Sequence, residues 1–300
     1  MVRIGVDFGG TKIEAAALDE TGRFLARERL PNPGRYDAAL KTVTQLVREV
    51  ERQSGAAEAP VGVGMPGSLS AKTGLVRNAN SVWLNDRAFD RDLAESLGRP
   101  VRLHNDANCF ALSEALDGAA AGAEVVFGAI LGTGCGGGVV VRGGLVEGVN
   151  RIGGEWGHTP LPWPTPHEAH GLTCWCGRTN CLETWISGSG FEADYTRATG
   201  LRLKGETIIE HARRGEPAAM MALERYTDRL GRAFAVVCDI LDPDVIVCGG
   251  GMSNVPEIYD SARQALKRWI FSDSLTTRLV PALHGDSSGV RGAARLWPTA

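Results

Sequence analysis

An α/β fold in two lobes is predicted by three features of the sequence. A strand–turn–strand–turn–strand pattern opens the chain, a second copy of it starts near residue 125, and amphipathic helical stretches lie between and after the two. Three hundred residues also exceed what one hydrophobic core usually serves and suit two. In the first copy, Val2, Ile4, Val6 and Phe8 alternate with Arg3, Gly5 and Asp7, which is the period of a strand. Gly9-Gly10 turns the chain into an apolar run at 13–18, and Thr21-Gly22 turns it again into a strand at 23–30. After Pro31-Asn32-Pro33-Gly34, the residues Leu40, Val43, Leu46, Val47 and Val50 recur at helical spacing. Val101-Arg102-Leu103 reads as a short strand, and Asn105-Asp106-Ala107-Asn108 opens a helix to about Leu116.

The second copy repeats the plan. An apolar strand at 125–131 runs into the glycine loop Gly132-Thr133-Gly134 and a second strand at 138–141, and Gly143-Gly144 turns into Leu145-Val146. A long amphipathic helix at about 218–241 leads to a buried-type strand at 244–248, the cluster Gly249-Gly250-Gly251, and a further helix at about 256–270. The repetition predicts an internal duplication, each copy founding one lobe. A cleft lined by the glycine turns is the expected binding place, as is common in α/β sheets.

Composition narrows the function. A hydrophobic fraction of 43%, a charged fraction of 22% and 39 glycines suit a soluble globular enzyme. A formal net charge of -3 argues against nucleic acid, whose phosphates need a clustered basic excess. No apolar stretch approaches the ~20 residues that span a bilayer, and the chain enters a strand at once, so neither membrane nor signal peptide is expected. A cytoplasmic location follows. Cys109, Cys135, Cys238 and Cys248 are scattered among small or apolar neighbours and read as buried thiols.

Asp7-Phe8-Gly9-Gly10-Thr11-Lys12 places a carboxylate at a strand end before two residues without Cβ. Backbone N–H groups of such a turn can approach phosphate closely, Thr11 adds a hydroxyl, and Asp7 suits Mg²⁺ held through water. Gly132-Thr133-Gly134 offers a second phosphate clamp. Each turn alone is as readily an ordinary hairpin; their matching places in a duplicated fold favour the phosphate reading. Neither is a Walker A or dinucleotide fingerprint. Asp106 and Asn105 at a helix start are by default capping residues. Phosphoryl transfer to a hydroxyl, however, needs a placed carboxylate to take the proton. Cys174, Cys176 and Cys181 crowd into eight residues, and three thiolates with one imidazole make a tetrahedral site suited to a structural Zn²⁺. By spacing, His158, His167 and His170 all compete as the fourth ligand.

Asp7 to Lys12, Asn105 to Asn108, Gly132 to Gly134, and Glu155-Trp156-Gly157-His158 with its cysteines resemble the ROK family of sugar kinases, within the actin-like ATPase superfamily. The resemblance runs from Gly5 to the closing His284-Gly285-Asp286 and helix. Asn78 to Leu84, Leu161-Pro162-Trp163 and Ser287 to Gly292 are similar to the fructokinase branch, the manno(fructo)kinase type. The resemblance implies a ribonuclease H-like duplicated fold, with residues 1–117 plus 288–300 in a small lobe and 118–287 in a large one. It implies Asp106 as the base, with Gly67, Asn80, Asn105, Asp106, Glu155, His158 and Glu183 holding the sugar. The nucleotide would be held by Asp7, Gly9, Gly10, Thr11, Lys12, Gly132, Thr133 and Gly134, with Gly249, Gly250 and Gly251 at the adenosine end. It selects His158 as the zinc ligand beside the three cysteines, so that zinc would tie the Glu155–His158 loop to the Glu183 segment. The implied activity is ATP- and Mg²⁺-dependent phosphorylation of a hexose, first of all fructose at O6, in a homodimer. The alternative is an N-acetylglucosamine kinase, a glucokinase or a broad hexokinase. Sugar-responsive repressors of the same family carry a DNA-binding helical segment ahead of the first strand, where this sequence has six residues before Asp7. A nonenzymatic sensor would not need to keep Asp7, Asp106 and both glycine loops.

Overall fold

The computed structural model describes residues 1–169 and 171–297, and the chain divides into two compact units. The first comprises Met1–Gly122, Gly138–Gly154 and the segment from His284 onward; the second comprises Ala123–Gly137 and Glu155–Leu283.

In the first unit, β1 (Arg3–Phe8), β2 (Lys12–Leu18) and β3 (Phe24–Pro31) form an antiparallel meander, with Val6 opposite Ala15 and Ala15 opposite Glu28. The helix α1 (Tyr36–Ser54) follows, then β4 (Val61–Met65), the small hairpin of β5 (Ser68–Leu69) and β6 (Val76–Arg77), α2 (Phe89–Leu97), β7 (Val101–Asn105) and α3 (Asp106–Leu116). The sheet order is β3-β2-β1-β4-β7, with β1, β4 and β7 parallel. The apolar stripe read from the sequence lies on the core-facing side of α1: Val43, Leu46, Val47 and Val50 are buried with Ala39, and Leu40 is partly buried against the same core. Burial of the larger four stabilises the unit by roughly 1.5–3 kcal/mol each. α1 stops where Gly55 takes a left-handed φ of 67°.

The second copy begins with β8 (Val125–Leu131), β9 (Cys135–Val141) and β10 (Gly144–Leu145). The helices α4 (Glu183–Ile186), α5 (Gly188–Thr199), α6 (Gly205–Arg213) and α7 (Pro217–Leu241) precede β11 (Val245–Gly249), α8 (Glu257–Trp269), β12 (Arg278–Pro281) and α9 (Ser288–Ala294). The sheet order β10-β9-β8-β11-β12 repeats that of the first sheet, strand for strand, and β8, β11 and β12 are parallel. The predicted duplication is therefore present in the topology. Helices α7 and α8 press together at Gly231, where a Cβ would stand 2.3 Å from the Ala265 Cβ.

The strand β4 explains its own composition. It reads Val-Gly-Val-Gly-Met and is buried throughout. A Cβ on Gly62 would lie 1.9 Å from the Ala293 carbonyl oxygen, and one on Gly5 in β1 would lie 1.9 Å from that of Val290. Glycine lets the backbone of α9 rest directly on the first sheet. Among the described residues no helix is long and apolar enough to cross a membrane.

Candidate active site

In the first unit, Asp7 lies one residue before the end of β1, and the Gly9–Gly10 turn follows it. Asn32 fixes that turn from β3: its Nδ2 donates to the Gly9 carbonyl at 2.8 Å, and its N–H donates to the Thr11 carbonyl at 2.9 Å. Gly10, Thr11 and Lys12 face solvent, and a Cβ at Gly10 would meet nothing within 4 Å. A turn so held and so open suits an anionic ligand.

Asp106 is the first residue of α3; Asn105 is the cap, and Asp106 Oδ1 shares the Ala107 N–H at 2.8 Å. The Asn105 side-chain oxygen accepts the N–H groups of Ala107 at 2.9 Å and Asn108 at 3.4 Å. Its Nδ2 donates to the Gly67 carbonyl at 3.2 Å. Gly67 has φ 76°, and a Cβ there would lie 2.4 Å from the Arg77 carbonyl oxygen, so no other residue fits this turn without displacing β6. Asn80 is exposed beside Ala79, whose N–H and carbonyl are both bonded by the Asn85 side chain at 2.9 and 3.1 Å. The structure thus gathers Gly67, Asn105 and Asp106 around the start of α3. Burial, followed by the charge of Asp106, raises the Asp7 carboxyl from 3.8 to about 7. Gly289 of α9 also belongs here: a Cβ would come within 3.0 Å of Asp7 Oδ2. Sequence reasoning missed His104, whose Nδ1 accepts the Asn105 N–H at 3.1 Å and whose pKa burial lowers.

In the second unit, the Gly132–Gly134 turn joins β8 to β9. Its Gly132 carbonyl accepts the Gly188 N–H at the start of α5, at 2.7 Å. Gly250, at φ 82°, packs on it: a Cβ would stand 2.6 Å from the Leu131 carbonyl carbon and 2.7 Å from the Gly132 nitrogen. The Gly249–Gly251 loop and the Gly132–Gly134 turn are therefore neighbours. Trp156 donates its indole N–H to the Gly136 carbonyl at 2.7 Å, so the Glu155–His158 turn lies along the start of β9. Glu183, at the start of α4, accepts the Cys135 N–H on Oε2 at 2.9 Å and the Trp175 indole N–H on Oε1 at 2.6 Å.

The cysteine cluster is a backbone knuckle. Cys174 N–H donates to the Arg178 carbonyl at 2.8 Å, Gly177 N–H returns to the Cys174 carbonyl at 3.0 Å, and Pro160 bridges Cys181. Sγ of Cys174 lies 3.7 Å from His158 Nδ1, and Sγ of Cys176 lies 3.6 Å from that of Cys181. All four donor atoms fall within 4.8 Å of one another. Zn–S bonds of about 2.3 Å and Zn–N bonds of about 2.0 Å in a tetrahedron put ligand atoms roughly 3.5–3.8 Å apart, so the donor set fits Zn²⁺. Among the described residues His167 is not in the cluster, and His170 lies outside the described residues. The other four cysteines are buried free thiols, as expected.

A buried ion network, not foreseen from the sequence, holds the loop that leads into this knuckle. Glu168 accepts from Arg229 at 2.7 Å and from Arg232 at 3.0 and 3.1 Å. Arg232 also donates to the Pro162 and Trp163 carbonyls, at 3.0 and 2.8 Å. The only sequence signal was arginine recurring on the apolar helix α7.

The ROK family model matches residues 3–300. The N-acetyl-D-glucosamine kinase of Photobacterium profundum is 39% identical to this chain over 297 residues, covering 97% of this chain and 98% of its own length. The ROK hexokinase of Thermus thermophilus superposes with a TM-score of 0.88 at 32% identity, covering 98% of this chain and 97% of its own. The ROK family glucokinase of Streptomyces griseus, solved with glucose and AMPPNP, gives 0.80 at 28% identity, with 99% of both chains covered. Shared sequence along nearly the whole chain and a shared duplicated fold place this protein in the ROK family.

Proposed function

We propose that this ROK-family sugar kinase transfers the terminal phosphoryl group of ATP to N-acetyl-D-glucosamine, with Asp106 taking the proton of the attacking hydroxyl. The placement of Asp106 carries the catalytic reading: it opens α3, its neighbour Asn105 does the capping, and its charge is felt at Asp7. The relatives support the substrate, since proteins 38–40% identical to this chain over 97% of its length bear that name, which favours the alternative reading over fructose.

Asn105, with the Gly67 turn and Asn80, holds sugar hydroxyls in the first unit; Glu155, His158 and Glu183 do so in the second. The Gly9 to Lys12 turn, with the Thr11 hydroxyl, and the Gly132 to Gly134 turn, whose Gly132 N–H is closed on the Gly134 carbonyl at 3.1 Å, receive phosphate oxygens, and Gly249 to Gly251 lies toward the adenosine. Asp7 is raised to about 7 by burial first and by the Asp106 charge second, and two such carboxylates suit a divalent cation between them and the phosphates. Asp7 would hold Mg²⁺ through water, and bound Mg²⁺ would neutralise charge at the phosphoryl oxygens. His158, Cys174, Cys176 and Cys181 would hold a structural Zn²⁺, since four protein ligands leave no position open. A homodimer is proposed on the family likeness, and sedimentation equilibrium decides it.

A coupled ADP-release assay tests the substrate across N-acetyl-D-glucosamine, fructose, mannose and glucose. The highest kcat/KM is expected for N-acetyl-D-glucosamine; a higher value for fructose would overturn the choice. Asp106→Asn is expected to lower kcat ~10²–10⁴-fold while sugar and ATP still bind. Unchanged turnover in that variant would remove Asp106 from the role of base.

A further inference from the structure

Trp175 lies between two members of the cysteine cluster and is 60% exposed, an unusual setting for the largest side chain. Its indole N–H donates to Glu183 Oε1 at 2.6 Å, and its ring stands edge-on to the His158 ring, with centroids 5.1 Å apart and planes at 83°. The other carboxylate oxygen of Glu183 accepts the Cys135 N–H at 2.9 Å, where the Gly132–Gly134 turn enters β9. Gly134 leaves the room for this, because a Cβ there would meet Glu183 Oε2 at 2.6 Å. One carboxylate is therefore gripped from both ends, by the cysteine knuckle and by the glycine turn.

A carboxylate has about four lone-pair sites; two are occupied here by N–H groups whose directions fix the plane of the group, and Cys174 Sγ lies 3.9 Å from Oε1 as a weaker neighbour. We infer that Trp175 is a positioning residue for the sugar: with the Cys135 amide it fixes the Glu183 carboxylate so that the remaining lone pairs meet hydroxyl donors of the hexose. The inference rests on reading Glu183 as a sugar-holding carboxylate. An exposed tryptophan serving only to cover the knuckle would need its ring face against His158 but not its N–H on a carboxylate.

The test separates the N–H from the ring. Trp175→Phe keeps an aromatic edge near His158 and removes the donor; Trp175→Leu, which also has no donor, is the second variant, should the first express poorly. In the zinc-loaded enzyme with N-acetyl-D-glucosamine, either variant is expected to raise sugar KM about tenfold, the worth of one hydrogen bond to a charged group. Zinc content, ATP KM and kcat at saturating sugar should stay within about twofold of the parent, a KM-only signature that loose packing does not give. Glu183→Gln should raise sugar KM as well, and the double variant should resemble it rather than multiply the two effects. A sugar KM unchanged in Glu183→Gln would overturn the reading of Glu183 itself. A raised KM in Glu183→Gln beside a parental KM in both Trp175 variants would leave that reading standing and overturn the role of Trp175. Loss of zinc or of kcat in both Trp175 variants would overturn it too, as the mark of a purely structural residue.

Discussion

Asp7→Asn tests the electrostatics of the first unit directly. The Asp7 carboxyl is raised from 3.8 to about 7 by burial first and by the Asp106 charge second, and both causes penalise the ionised form. A folded value above the unfolded one means that the wild type keeps its full stability only below about pH 4. It loses stability as pH climbs through 7, and the loss is complete above that. At 1.36 kcal/mol per tenfold in proton concentration, the whole span corresponds to at most about 4 kcal/mol, of which up to about 3 kcal/mol falls between pH 5 and 8. Asparagine keeps the shape and has no charge to lose. Urea unfolding of both proteins at pH 5 and pH 8, without nucleotide or divalent ion, should show Asp7→Asn gaining on the wild type as pH rises. Added Mg²⁺ at pH 8 should narrow the gap by stabilising the wild type alone. Turnover by Asp7→Asn should be poor at every pH. A gap that stays constant or shrinks from pH 5 to pH 8 would refute the raised pKa of Asp7.

Three further outcomes follow from the geometry. Gly67→Ala would set a Cβ 2.4 Å from the Arg77 carbonyl oxygen at φ 76°, so its backbone must shift, costing about 1–3 kcal/mol; steady-state kinetics should show a raised sugar KM, since Asn105 bonds this residue. Cys176→Ser should lower zinc content, measured by metal analysis of the purified protein, and weaken sugar binding; full zinc with parental sugar affinity would detach the cysteines from the sugar site. Glu168→Gln removes one of the two anions of Arg229 and of Arg232, leaving Asp194 and Asp228 in place, and should cost about 1–3 kcal/mol in chemical denaturation.

The parts of this protein that were legible in the sequence are those where one local rule acts alone. Periodicity located α1, α7, α8 and the strand at Val125–Leu131, because each buries one face or a whole short run against a single neighbouring layer. The glycine turns at Gly9–Gly10 and Gly132–Gly134 were legible because each interrupts an apolar strand pattern; the tight places are Gly9, against the Lys12 carbonyl, and Gly134, against Glu183. The strand β4 escaped notice because Val61–Met65 alternates valine with glycine, and the reason for those glycines is α9, more than two hundred residues away in the chain. Asn105 and Asp106 could not be told apart as cap and base from spacing, since both types suit a helix start; Asn105 accepts from both Ala107 and Asn108, while Asp106 shares only the Ala107 N–H. Trp175 lay hidden between two cysteines that drew attention to themselves. The Arg229–Glu168–Arg232 network was hidden because arginine on a helix ordinarily signals a solvated face, and only the packing of the 161–169 loop shows that this face is covered.

The contact of α9 with the first sheet also bears on how the chain is made. Ribosomes release the strands β1 and β4 early, yet the backbone that covers Gly5 and Gly62 is Val290 and Ala293, made more than two hundred residues later. During synthesis these two strands therefore present a bare glycine-lined surface until α9 has been made. The second unit lies between those two ends in the sequence and can fold while the first still waits for its closing helix. Nascent chains stalled just short of residue 288 should remain protease-sensitive in the first unit and become resistant once α9 clears the exit tunnel.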